Sequence, residues 1–204
     1  MTRVLIVAKT RLSGDARCIG AINAQGIGLR LSEVDGSSPL ADTAYDIGDE
    51  WELDVVRKSR LYAPHVEDVV VRDAVYVGPR ATTLFDAVFG LTVPWRCKLQ
   101  KAFNGCLKTT PSGSAYVDAT AIPAMSTGFW VSDCDLRSVS DGHGRVRYCG
   151  GGLSIKYVGD GEPVGTIAAG WLVRLSLARW WRETSAGPEA DQRCYMQLSG
   201  WIAP

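Results

Sequence analysis

The sequence predicts a mainly β protein: two tandem small barrels with a helical segment between them. Three observations carry this reading. Apolar residues alternate with polar ones at both ends of the chain, the middle switches to i, i+4 spacing, and the segments are separated by Gly- and Ser-rich breaks. The boundaries fall at residues 1–80 for the first barrel, 81–111 for the helical connection and 112–204 for the second barrel. A single large β-sandwich is the alternative for the same pattern.

In chain order, residues 3–9 form a short apolar strand. Residues 18–23 and 27–33 flank the turn-like Ala24-Gln25-Gly26 and read as a hairpin. In residues 50–57, Trp51, Leu53 and Val55 face one way and Glu50, Glu52 and Asp54 the other, the pattern of a half-buried strand. Residues 68–77 are a Val-rich fifth strand, and five short strands in this length indicate a small barrel. Leu84 with Val88 and Phe85 with Phe89 are spaced i, i+4. Trp95, Leu99 and Phe103 continue at i, i+4, i+8 between Pro94 and Asn104-Gly105, which predicts a helix with its aromatic stripe in the core. Strands resume at 128–133, 145–149, 153–158, 171–180 and 193–201.

At 204 residues the chain is long enough to bury a core without disulfides or metal. Its longest apolar runs, such as Val4 to Ala8, are far too short to span a bilayer, so no membrane partner is expected. No A-x-A-like cleavage site follows the start, which predicts a cytoplasmic protein. The six Cys, at 18, 97, 106, 134, 149 and 194, include no C-x-x-C pair and read as free, mostly buried thiols, with no metal site. Lys+Arg 22 cancels Asp+Glu 22, but the charge is blocked. Residues 1–32 carry Arg3, Lys9, Arg11, Arg17 and Arg30 against Asp15, whereas residues 33–54 are acidic with no Lys or Arg. Residues 87–117 and 144–182 are again basic. An acidic block beside the basic loop would repel phosphate and favour a protein partner; on the far side it would leave the loop open to nucleic acid.

Enzymatic motifs do not accumulate. There is no G-x-x-x-x-G-K-[ST], no G-x-G-x-x-G after the first strand and no G-x-S-x-G. His65-Val66-Glu67 matches half of a zinc deaminase signature, but Pro94-Trp95-Arg96-Cys97 does not supply the P-C-x-x-C half. His65 with Glu67 and Asp68 is the one candidate acid/base group, and its ordinary reading is a surface His at a strand mouth. His143 lies in a Gly-bounded turn. No catalytic residue and no cofactor is assigned, and the chain is read as a non-enzyme.

The basic residues are more informative. Lys9, Arg11 and Arg17 bracket a Ser13-Gly14 loop between strands one and two, and Arg30 sits on strand three. In an OB-like barrel, that loop and the face of strands two and three bind oligonucleotides. Lys9, Arg11, Arg17 and Arg30 are therefore the candidate nucleic-acid-binding set, with Tyr148, Trp180 and Tyr195 as candidate stacking platforms.

Lys9-Thr10-Arg11, Gly14, Arg17-Cys18-Ile19-Gly20 and Leu29-Arg30-Leu31-Ser32 together resemble the opening of the bacterial dual OB-containing domain family. Pro64-His65-Val66-Glu67-Asp68, Leu175-Ser176-Leu177 and Leu198-Ser199-Gly200-Trp201 resemble its later stretches. Gly28 and Leu31 depart from it, standing where the family tends to have Trp and Pro. The resemblance implies two tandem OB-like barrels that bind nucleic acid or nucleotide, in gene neighbourhoods of bacterial defence, with no catalytic residues. The expectation is a binding module for single-stranded nucleic acid or a nucleotide; the alternative is a protein-interaction adaptor in a larger complex.

Overall fold

A computed structural model describes residues 1–142, 144–182 and 191–204. The first five strands are β1 (Thr2–Arg11), β2 (Arg17–Asn23), β3 (Gly28–Ser32), β4 (Asp49–Arg57) and β5 (Asp68–Pro79). They close into a barrel in the order β1-β2-β3-β5-β4, with β4 pairing back on β1, consistent with an OB-like barrel. Only the β3–β5 pairing is parallel. Alternation places Val4, Ile6, Ile19, Ala21, Leu31, Trp51, Leu53 and Val69 inside. Glu52 and Asp54 are exposed as their strand pattern predicts, but Glu50 is buried, held by Arg3 and Arg80. The ladder slips between Glu50 and Trp51, which breaks the simple alternation there.

β1 is apolar on both faces for a reason visible in the packing. Val4 and Ile6 fill the barrel, while Leu5 and Val7 point outward against a second layer. That layer includes α1 (Leu84–Leu91), which starts at Thr83, whose hydroxyl accepts the Asp86 N–H at 3.2 Å. Ala87 and Val88 of α1 pack with Leu5, Val7, Ile22, Phe129 and Leu172.

The helix predicted through 95–103 does not form. Trp95 is extended: its N–H donates to the Phe129 carbonyl at 2.8 Å, and its carbonyl accepts from the Val131 N–H at 3.0 Å. Two short 3-10 turns follow, Leu99–Lys101 and Phe103–Gly105, with Phe103 and Asn104 at φ 52° and 60°. Leu99 and Phe103 are still buried, so the apolar spacing served the core without a continuous helix. Backbone pairing of Trp95 with a distant strand outweighed the local helical pattern.

The remaining strands are β6 (Lys108–Thr109), β7 (Ala115–Asp118), β8 (Thr127–Val131), β9 (Leu136–Ser140), β10 (Val146–Gly150), β11 (Leu153–Tyr157), β12 (Thr166–Ile167), β13 (Leu172–Leu177) and β14 (Arg193–Ile202). They run β12-β9-β10-β11-β14-β13-β8, and β7 joins β14 and β6. This sheet is open, whereas the sequence predicts closure. The far side of β8 is taken by the Trp95–Trp130 bridge, and β14 is shared along its length by β7, β11 and β13. Its core includes the fully buried Trp130, Tyr148 and Leu175.

The two sheets meet along the outward face of β2 and β3. Ile22 packs in the shared apolar layer, Gly28 approaches Thr127, and Arg30 reaches Ser126. The face that OB folds offer to oligonucleotides is therefore covered by β8 and β13.

Candidate nucleic-acid interface and junction cleft

The four predicted basic residues are all engaged internally. Lys9 donates to the Thr43 carbonyl at 3.4 Å and lies 3.5 Å from Asp46. Arg11 and Arg17 are register partners on β1 and β2, and both grip the same distant turn. Arg11 donates to the carbonyls of Gly159 (2.9 Å) and Gly161 (3.4 Å), and Arg17 pairs with Asp160 at 2.7 Å. Arg30 is held apart from them, inside the junction. The acidic block runs beside this loop: Arg17 N–H donates to the Pro39 carbonyl, Ala16 bridges Leu40, and Asp46 faces Lys9. Lys9 and Arg17 thus face carboxylates, whereas the exposed Arg11 is bonded only to backbone carbonyls.

His65, Glu67 and Asp68 are buried at the sheet junction, so His65 is not the surface residue the sequence predicts. Glu67 accepts the Thr127 N–H at 3.1 Å, the Ser126 N–H, and the Ser126 hydroxyl at 3.0 Å. Arg30 donates to the Ser126 hydroxyl and faces Asp68 at 3.3 Å without hydrogen-bond alignment. Arg179 pairs with the other Asp68 oxygen. Arg30 also donates to His65 Nδ1 at 3.2 Å. A guanidinium only donates, so Nδ1 is bare and the proton sits on Nε2, toward Cys194 Sγ at 3.8 Å. Burial first, then Arg30 and Arg179, pushes the His65 pKa down to about 4. His65 is thus a neutral imidazole held between an arginine and a thiol, with Glu67 bonded at Ser126 and Thr127 and Asp68 facing Arg30 and Arg179.

An unpaired set of cations lies elsewhere on the barrel. A groove of about 580 Å³ is lined by Arg57, Lys58, Arg60 and Arg72 with one acid, Asp35. Lys58 donates to the Gly36 carbonyl at 2.9 Å; Arg57, Arg60 and Arg72 are exposed and their side chains have no hydrogen-bond or ion-pair partner among the described residues. Tyr62, 67% exposed, follows in the same β4–β5 loop. Sequence reasoning missed this set, although Arg57-Lys58-Ser59-Arg60 is a compact basic run at a strand end.

Arg57 also lines a second, larger cavity of about 730 Å³ between the barrel mouth and β8. Its walls include Ile22, Leu29, Val66, Trp95 and Phe129, and it reaches Arg174. The exposed rim carries Ile27, Val93 and Met125. Gly26, at φ 75°, lets the β2–β3 turn abut the Leu91 carbonyl, since a Cβ there would stand 2.0 Å from that oxygen.

Of the predicted stacking platforms, Tyr148 is wholly buried with its hydroxyl on the Val164 carbonyl. Trp180 donates to the Ala63 carbonyl, and Tyr195 packs near Tyr116 and Trp181. His143 lies outside the described residues. The six cysteines are free, with only Cys194 fully buried. Among the described residues no group of three His, Cys, Asp or Glu is placed to hold a metal ion, and no helix is long and apolar enough to cross a membrane. No family model, curated protein or solved structure matches this chain.

Proposed function

We propose that this protein is a non-enzymatic binding module for single-stranded nucleic acid or a nucleotide, built on an OB-like barrel with a second, open OB-like unit packed on its β2–β3 face. The observation that carries the reading is Arg57, which lines both the basic groove and the apolar cleft. A strand tracking Arg57, Arg60 and Arg72 by its phosphates would reach, at Arg57, a cavity able to take a flat apolar group. The β4–β5 loop is one of the two loops through which OB folds bind oligonucleotides, and here it is the one with free cations. Titration of the full chain with single-stranded DNA and RNA at low salt tests this. Binding that weakens with salt, and is lost when Arg57, Arg60 and Arg72 become Ala, supports the reading; no signal with either strand overturns it.

A second reading, a protein-interaction adaptor, draws on a different observation. The acidic 33–54 segment lies beside the loop between β1 and β2, and Asp46 and Asp160 face Lys9 and Arg17, which lowers the positive charge this loop offers to a phosphate. Absence of oligonucleotide binding together with co-purification in a defined complex would favour it.

A further inference from the structure

Arg174 stands on β13 at the junction, 8% exposed, and its side chain has no hydrogen-bond or ion-pair partner among the described residues. The neighbouring charges do not serve it. Asp68 is taken by Arg179 and Arg30, and Glu67 by the Ser126 and Thr127 amides and the Ser126 hydroxyl. Three guanidiniums, Arg30, Arg174 and Arg179, face two carboxylates, and Arg174 is the one left over. A buried guanidinium without an acceptor is unfavourable, and its fork of N–H donors matches a carboxylate or phosphate. Arg174 lines the junction cleft, whose walls, Ile22, Val66, Trp95 and Phe129, are apolar, and whose rim exposes Ile27, Val93 and Met125.

We propose that the cleft between the barrel and β8 is a binding site for a small organic anion, with Arg174 holding its phosphate or carboxylate and the apolar walls holding its body. The volume of about 730 Å³ lies within the range of small-molecule sites. Anion binding shares its cleft with the strand-binding reading and is told apart from it by Arg60 and Arg72, which line the groove but not the cleft: replacing both with Ala should weaken strand binding and leave anion binding intact.

The test is calorimetric titration of the full chain with AMP, phenyl phosphate and octanoate, each against its uncharged counterpart: adenosine, phenol and octanol. The expected result is saturable binding of at least one anion with none of its counterpart. AMP alone identifies a nucleotide, phenyl phosphate as well a general aryl phosphate, and octanoate a carboxylate ligand. Arg174→Met should weaken binding at least about tenfold, with thermal stability unchanged or raised, because it removes an unpaired buried charge. Arg174→Lys, keeping the charge without the fork, should fall between. Ile27→Trp at the exposed rim should obstruct the mouth and weaken binding without touching the buried layer, which keeps the test open should an Arg174 variant fail to fold. No binding of any of the three anions up to about 5 mM overturns the inference. Undiminished binding in Arg174→Met or Ile27→Trp overturns it equally.

Discussion

The Arg174 guanidinium lies directly over Gly20 of β2, so close that a methyl group at position 20 would stand 2.4 Å from Nη2. One residue without a side chain lets the second sheet place a cation against the barrel wall. The register Gly20↔Arg30 then puts a second guanidinium on the adjacent strand.

Gly20→Ala should displace Arg174 more than it destabilises the fold. The clashing atoms are the free end of a long side chain, so rotamer adjustment at about 0.5–1.5 kcal/mol is the expected cost. Denaturant unfolding should show that small change, while anion affinity falls as in Arg174→Met.

Gly128→Ala should be costlier. A Cβ there would stand 2.4 Å from the Trp95 ring, which is rigid and fixed by its own backbone bonds to Phe129 and Val131. Overpacking of this kind costs about 1–3 kcal/mol. A lowered Tm with a changed tryptophan emission is the expected readout.

His65 sets an acid limit on stability. Its folded pKa is lowered to about 4 from an ordinary 6.5, so the unfolded chain takes up the proton first. The stabilisation is complete above about pH 6.5 and is lost as pH falls toward 4, about 3 kcal/mol across that window. Unfolding midpoints measured from pH 8 to 4 should fall accordingly, and His65→Gln should flatten that part of the profile.

The two arginine sets should separate in a salt titration. Replacing Arg57, Arg60 and Arg72 with Ala should flatten log K against log salt by about 2 units, at roughly 0.7 per phosphate contact on a single strand. Replacing Arg11 and Arg17 should leave the slope unchanged and instead lower stability by about 1–2 kcal/mol, since both hold the 159–161 turn. A flattened slope in the Arg11/Arg17 variant would return the binding site to the loop between β1 and β2.

Much of the fold was legible because strand patterns are local. Trp51, Leu53 and Val55 alternate with Glu52 and Asp54, and that spacing alone orients β4. The five-strand count of residues 1–80 indicated a barrel, and the i, i+4 pairs at 84–89 coincide with α1. The short β6, β7, β9 and β12 carried too little pattern to be seen.

What the sequence by itself determined is the longer strands and, Glu50 apart, which of their faces are apolar, because each follows from the period-two pleat of a few neighbouring residues. What only the tertiary structure decided is where the charges act. Arg11 and Arg17 are ordinary exposed-looking cations until residues 159–161 arrive from the other end of the chain to receive them. His65 becomes buried only when β14 brings Cys194 against it, and Trp95 leaves its helical pattern only because β8 offers backbone partners. Arg174 becomes a buried cation only because Gly20 leaves room for it. Pleat and polarity are local; desolvation and ion pairing depend on partners that stand from tens to well over a hundred residues away, as Lys9 with Asp46 and Arg17 with Asp160 do, which no short window along the chain contains.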